Sequence, residues 1–86
     1  MNALVSIITP SYNSAKFIAE TIQSVQSQTY SNWEMIIVDD GSSDETENVV
    51  LSIIENDNRI QFHKLSQNSG PAVARNTGIE KASGDY

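Results

Sequence analysis

Three short, β-branched apolar runs, each followed by a segment of helical periodicity, constrain this chain more than any other feature. Leu4-Val5-Ser6-Ile7-Ile8-Thr9 is the first run, stopped by Pro10. Met35-Ile36-Ile37-Val38 forms the centre of the second, Trp33–Asp39. Runs this short and this continuously apolar read as strands buried on both faces. The third, residues 59–65, alternates through Ile60 and Phe62, so it reads as a half-exposed strand at a sheet edge.

Between the strands the period changes. Phe17, Ile18, Thr21, Ile22 and Val25 share one helical face, with Ser14 placed to cap the free N–H groups, and the pattern fades at Gln28-Thr29. Asp44, Glu45 and Glu47 put negative charge where a helix N-terminus favours it, ahead of a Val49, Val50, Ile53, Ile54 stripe that closes near Asn56. Pro71 suits the first turn of a third helix, continued by Ala72, Val73, Asn76, Ile79, Glu80 and Ala82 and terminated by Gly84. Strand and helix alternating three times imply an α/β fold with a Rossmann-like parallel sheet and right-handed crossovers. At 86 residues there is room for one domain, residues 1–86. Gly84-Asp85-Tyr86 stands where a fourth strand should begin, so the expectation is a domain truncated after three β-α units.

Composition then removes whole classes of function. Net charge is −6, and Lys16, Arg59, Lys64, Arg75 and Lys81 are scattered, which argues against a nucleic-acid partner. Zero cysteines exclude disulfides, thiolate metal sites and cysteine nucleophiles. No apolar run approaches the roughly 20 residues of a membrane span, and residues 1–10 lack a basic leader, so the expected location is cytoplasmic.

In open parallel sheets ligands bind beyond the carboxyl ends of the strands, which directs attention to residues 10–14, 39–43 and 66–70. The first loop carries Tyr12 and no G-x-G-x-x-G, against a dinucleotide cradle. Tyr12 can stack on a base or pack its own loop. Asp39-Asp40 closes a buried strand, and adjacent carboxylates there point in different directions: one can face a ligand, gripping ribose hydroxyls or a base N–H, while the other braces the loop. Asp-Asp-Gly-Ser is equally good turn chemistry, and Asp44 can serve as a helix cap. Arg75, early in the third helix after Asn68-Ser69-Gly70, can reach phosphate oxygens, brace Asp39 or make an ordinary ion pair. His63 has no second histidine at ligand spacing, and Tyr30 and Trp33 lie at the opposite end of the sheet; all three read as structural.

Four segments in order, Val5-Ser6-Ile7-Ile8-Thr9-Pro10-Ser11-Tyr12-Asn13, Ser24-Val25-x-Ser27-Gln28-Thr29-Tyr30, Glu34 to Asp44, and Asn68-x-Gly70 with Ala74-Arg75-Asn76-x-Gly78-Ile79, resemble the N-terminal half of a family 2 glycosyltransferase. The resemblance implies a GT-A fold and an inverting transfer from a nucleotide-diphosphate sugar, usually UDP-linked, to a glycan or lipid-linked acceptor. It further implies a divalent cation, Mg²⁺ or Mn²⁺, and a location at the cytoplasmic face of the membrane. By position it assigns Pro10 and Tyr12 to the nucleobase pocket, Asp40 to the base or ribose, Asp39 to loop support, and Asn68, Gly70 and Arg75 to the donor side.

The family's D-x-D metal motif and catalytic base follow beyond the Gly-Asp-Tyr at residues 84–86. No catalytic residue and no metal ligand is therefore assigned, and the 86-residue chain alone is expected to be inactive. A receiver-type signalling or interaction module is the competing reading; it would carry acids after the first strand and a phosphoacceptor after the third, where Leu65-Ser66-Gln67 offers none. Without a fourth strand beside it, the first strand would expose an apolar edge, from which self-association is expected.

Overall fold

The computed structural model describes residues 3–85. Six elements alternate as expected: β1 (Val5–Ser11), α1 (Ile18–Gln26), β2 (Trp33–Asp39), α2 (Thr46–Ile54), β3 (Ile60–Lys64) and α3 (Pro71–Lys81). The strands form one parallel sheet in the order β1-β2-β3, with Val5 opposite Trp33 and Met35 opposite Ile60. This is the α/β architecture with a parallel sheet that the alternating pattern implies.

Because side chains alternate across a strand, β2 supplies both halves of the core. Trp33, Met35 and Ile37 face α1 and α2, meeting Ile18, Ile22, Val50 and Ile60. Ile36 and Val38 face the other way, against Ala74 of α3, with Ile8, Leu65 and Ala82 at the margin. Met35 through Val38 are fully buried, as the sequence indicates for a central strand.

β1 differs from its expectation in two respects. It is half-buried along most of its length, because it forms one edge of the sheet among the described residues. It also runs through Pro10 to Ser11, pairing with Val38 and Asp39, rather than stopping at the proline. The reason is directional. Val5 donates its N–H to Asn32 of the chain entering β2, so the odd-numbered residues face β2 and residue 10 faces outward, where a missing N–H breaks no ladder bond. At the opposite edge, β3 is half-exposed as expected, but burial falls along it rather than alternating: Ile60 is buried, Gln61, Phe62 and His63 are half-buried, and Lys64 is exposed, with Phe62 packed partly against the larger core.

Helix boundaries and faces also shift. A turn precedes α1: both Phe17 and Ile18 donate their N–H groups to the Ser14 carbonyl. The Ser14 hydroxyl donates to the Tyr12 carbonyl, so it does not cap the helix, and Phe17 is exposed, not on the buried face. Pro71 occupies the first turn of α3 as expected, but the helix ends at Lys81 and Ala82 is already extended. Its buried face is Ala74 and Gly78, whereas Val73 and Ile79 face solvent. A Cβ on Gly78 would lie 2.5 Å from Ile8 Cγ2, so small residues let α3 lie close on the sheet.

After α3, the Asp85 N–H donates to the Leu4 carbonyl at 2.7 Å, on the outer edge of β1. Residues 83–85 thus sit where a fourth strand was expected to start; Tyr86 lies outside the described residues.

Candidate functional site

Three loops meet at the carboxyl end of the sheet, each held by side chains of its neighbours. Asn13, in a left-handed conformation (φ 47°) that asparagine tolerates, sends its Oδ1 to accept from the Ser43 N–H at 2.9 Å. Its own N–H donates to Ser42 Oγ, the Ser14 N–H to Thr46 Oγ1, and the Ala15 N–H to Asp44 Oδ2. Asp44 also accepts from the Thr46 N–H and hydroxyl, bracing the turn that leads into α2, whose N-cap is Glu45. The Thr46 hydroxyl is the main reason the Asp44 carboxyl is held below the usual range. Ser42, Thr46 and Asn13 hold these loops together and were not singled out from the sequence; short polar residues after β1 and β2 and at the start of α2 were the available signal.

The two carboxylates ending β2 divide their tasks. Asp39, fully buried, accepts from the Ser42 N–H at 2.7 Å and from the Ser42 hydroxyl, bracing its own loop. Asp40 points across to the β3–α3 loop, accepting the Ser69 N–H at 2.7 Å and the Gly70 N–H at 2.9 Å, one on each oxygen. Gly41, at φ 80°, packs beneath this loop: a Cβ there would meet Asn68 N at 3.2 Å. A carboxylate oxygen has two lone pairs, so each Asp40 oxygen keeps acceptor capacity after its backbone contact.

Pro10, Ser11, Tyr12, Asp40, Asn68, Pro71 and Ala74 together line an open cleft of about 280 Å³. Four sequence candidates, Pro10, Tyr12, Asp40 and Asn68, therefore converge on one cavity, with the Tyr12 side chain half exposed. Gly70 stands just behind it as a donor to Asp40 and begins α3 at φ 97°. Asp39 lies beneath. Arg75 is exposed and is not among the lining residues, and it does not brace Asp39, whose partners are on Ser42. Ser11, Pro71 and Ala74 were not anticipated as wall residues. Pro71 adds an apolar ring to the lining beside Pro10, while Ala74, one turn on, is fully buried and closes the cleft from behind.

The remaining titratable groups lie outside the cleft. His63 accepts or donates to Gln61 at 3.0 Å, and burial, with Lys81 nearby, pushes its ring below the usual histidine range. At the amino end of the sheet, Arg59 stacks 3.8 Å from the Trp33 ring centre and pairs with Asp57 at 2.9 Å, while the Tyr30 hydroxyl donates to the Ala3 carbonyl. Among the described residues, no three His, Cys, Asp or Glu side chains gather to hold a metal ion. A divalent cation would therefore need ligands that these residues do not group together. No helix among them is long and apolar enough to cross a membrane.

Comparison with known proteins gives the geometry a context. Residues 6–86 match the profile described as Glycosyl transferase family 2. The chain is 49% identical over 83 residues to TuaG of Bacillus subtilis (strain 168), a glycosyltransferase named for teichuronic acid biosynthesis, covering 96% of this chain and 33% of that protein. It is 47% identical over 83 residues to the UDP-Glc:alpha-D-GlcNAc-diphosphoundecaprenol beta-1,3-glucosyltransferase WfgD of Escherichia coli, covering 96% and 32% respectively. The mannosyltransferase PcManGT of Pyrobaculum calidifontis, solved with GDP-Man and Mn²⁺, superposes with a TM-score of 0.91 at 28% identity, over 99% of this chain and 26% of that one. TarS of S. aureus, residues 1–349 with UDP, gives 0.86 at 32%, over 96% and 25%. The chain thus spans about a third or less of these relatives.

Proposed function

The chain belongs to glycosyl transferase family 2, and from that premise we propose that it supplies the nucleotide half of the donor site in the transfer of a sugar from a nucleoside-diphosphate donor, UDP-linked, to a glycan or lipid-linked acceptor with inversion. The observation that carries this reading is the cleft: two proline rings make an apolar slot, Tyr12 offers a stacking surface, and Asp40 presents acceptor oxygens at its wall. An apolar slot with few convergent polar groups suits a flat heterocycle. An acidic wall without a neighbouring cation suits a base or ribose better than a diphosphate. In this role Pro10 and Tyr12 hold the ring, Asp40 accepts from a base N–H or ribose hydroxyl, and Asp39 keeps the loop rigid through Ser42. Asn68 and Gly70 shape the donor side, and Arg75, on the exposed side of α3, approaches the diphosphate only from outside the slot.

Relatives solved with UDP, UDP-GlcNAc and GDP-Man with Mn²⁺ support a nucleotide-sugar donor and a divalent cation in this chemistry, and the diphosphoundecaprenol in the name of WfgD supports a lipid-linked acceptor. The cation would neutralise the diphosphate leaving group. With no metal-binding cluster among the described residues and about a third of the relatives' length, the 86 residues alone are proposed to bind donor nucleotide without turning it over. The proposed setting is cytoplasmic, at the membrane face where a lipid-linked acceptor would be met. Self-association through the open part of the β1 edge is proposed as a weak side property.

The test is an amide NMR titration of the chain with UDP and with GDP. Shifts confined to Tyr12, Asp40, Asn68 and Gly70, with affinity stronger for UDP and weakened at least about fivefold in Tyr12→Ala, are expected, because base–aromatic stacking contributes about 1–3 kcal/mol. A well-dispersed spectrum that ignores both nucleotides at millimolar concentration would refute the half-site reading. The receiver-type alternative has lost its footing: the carboxylates end β2, and the family match covers residues 6–86.

A further inference from the structure

A second polar cluster lies at the opposite end of the sheet from the cleft. Glu34, half-buried in β2, accepts on Oε2 from the Ser6 hydroxyl at 2.6 Å and from the Ser83 N–H at 2.6 Å. Ser6 Oγ in turn accepts the Gly84 N–H at 2.9 Å. Asp85 completes the set twice over: its N–H donates to the Leu4 carbonyl at 2.7 Å, and its Oδ2 accepts the Leu4 N–H at 3.0 Å. Residues 83–85 are thus tied by four hydrogen bonds to Leu4, Ser6 and Glu34, and a fifth joins Ser6 to Glu34. The Asp57 turn after α2 is as densely bonded, but mostly to its own neighbours, whereas all four bonds of residues 83–85 reach residues 49 or more positions away.

Gly84 adds a steric constraint. A Cβ there would fall 2.8 Å from the Leu4 carbonyl oxygen and 2.9 Å from the Ser6 nitrogen, both backbone atoms that cannot rotate away. Moving the segment by one residue would place Ser83 or Asp85 in that slot, and by two residues, the ladder's own repeat, Ala82 or Tyr86. Each brings a Cβ, so these slips are blocked. A sheet edge by itself sets register weakly, since the backbone ladder repeats every two residues.

We propose that Glu34 and Gly84 together form a register lock, with Glu34 as the positioning residue, fixing the alignment in which the chain leaving α3 adds to the outer edge of β1. Gly84 excludes the neighbouring alignments by shape. Glu34 selects the correct one by offering a single carboxylate to a side chain of β1 and a backbone N–H of the added segment at once. Charge-assisted bonds of this kind are about twice as strong as neutral ones. The lock also shields Leu4 and Ser6 from edge pairing with other chains. The proposal concerns alignment and is independent of what the cleft binds.

The experiment uses the 86-residue chain and reads the Asp85 to Leu4 rung directly, by the NMR scalar coupling across that hydrogen bond and by exchange of the Ser83, Gly84 and Asp85 amides. In Glu34→Ala the coupling is expected to vanish and the three amides to exchange at least about tenfold faster, while the Ile36 and Val38 amides keep their protection. Glu34→Gln, which keeps an acceptor oxygen, is expected to restore part of the protection; a role in bulk packing alone would not distinguish the two variants in the 83–85 amides only. Gly84→Ala is expected to lose the coupling as well. An intact coupling and unchanged exchange in Glu34→Ala overturns the proposal. If Glu34→Ala unfolds the sheet, Ser6→Ala decides instead: loss of Gly84 and Asp85 protection in a folded sheet supports the lock, and full protection overturns it.

Discussion

The two faces of the sheet are built on opposite principles. Toward α1 and α2 the core is made of large branched and aromatic side chains, Ile18, Ile22, Trp33, Met35, Ile37, Val50 and Ile60, interleaved between helix and strand. Toward α3 it is made of close approach: Ala74 and Gly78 bring the helix backbone down onto Ile8, Ile36 and Val38. The first arrangement buries more apolar area and should carry most of the stability. The second gives up bulk and gains placement, setting Pro71 and Ala74 at a fixed height beside Pro10 and Tyr12. One face supplies a foundation, the other a gauge for the cleft.

That contrast can be broken most sharply on the foundation side. Ile37→Ala removes a fully buried side chain from the middle of the larger core and should cost about 2–5 kcal/mol, enough to unfold much of so small a domain; urea denaturation followed by circular dichroism measures it. If the loss were under about 1 kcal/mol, the larger core would not be the foundation.

Gly78→Ala tests the gauge. The added methyl meets Ile8 Cγ2, so the expected cost is about 1–3 kcal/mol from overpacking, gentler than Ile37→Ala but with a geometric signature of its own. Chemical shifts of Pro71, Ala74 and Tyr12 should move, while those of Ile22 and Val50 stay put. A change spread evenly over both faces would show that α3 height is not set at Gly78.

The smallest effect expected lies in the pH dependence of the foundation's lower rim. Hydrogen bonds from Arg59 above all, and from Gln26, hold the Asp57 carboxyl well below the usual carboxylate range. Its folded pKa is therefore depressed relative to the unfolded chain. The stability it contributes is fully present above the unfolded value, near pH 4, and is lost as pH falls through the folded one. Glu34, lowered chiefly by the Ser6 hydroxyl, acts in the same direction. Asp57→Asn should lower the thermal midpoint modestly near pH 7, as expected for one partly exposed pair, and the gap to the unaltered chain should close as pH falls below about 4, flattening the acid profile. An unchanged acid profile would remove Asp57 from the account.

The foundation was legible in the sequence and the gauge was not, for a physical reason. Bulky residues announce their face through periodicity, so β2, the Ile18–Ile22 stripe and the Val50 face could be read directly. Close packing announces itself through what is absent, and in α3 the apolar Val73 and Ile79 point to solvent while Ala74 and Gly78 pack. Spacing of small residues four apart was the signal. The same asymmetry appears at the site. Asp39 and Asp40 were visible as a pair ending a strand, and that adjacent carboxylates there point in different directions followed from geometry. Which neighbours they hold did not, because Ser42, Ser69 and Gly70 are engaged largely through backbone N–H groups that every residue possesses. Pro10 misled for a related reason. A proline ends a strand only when its nitrogen faces a partner, and the direction of residue 10 is set by the pairing of β1 with Asn32 and β2.

That proline has one more consequence. A strand added along β1 takes its donors from the outward N–H groups of every second residue, and the series runs out at residue 10. Any neighbour that zips onto the edge from the Leu4 end meets a blank tooth just where the cleft begins. Pro10 is thus both a wall of the cleft and its doorstop: it lets the edge be paired along the body of the sheet, and it keeps that pairing from closing over the entrance.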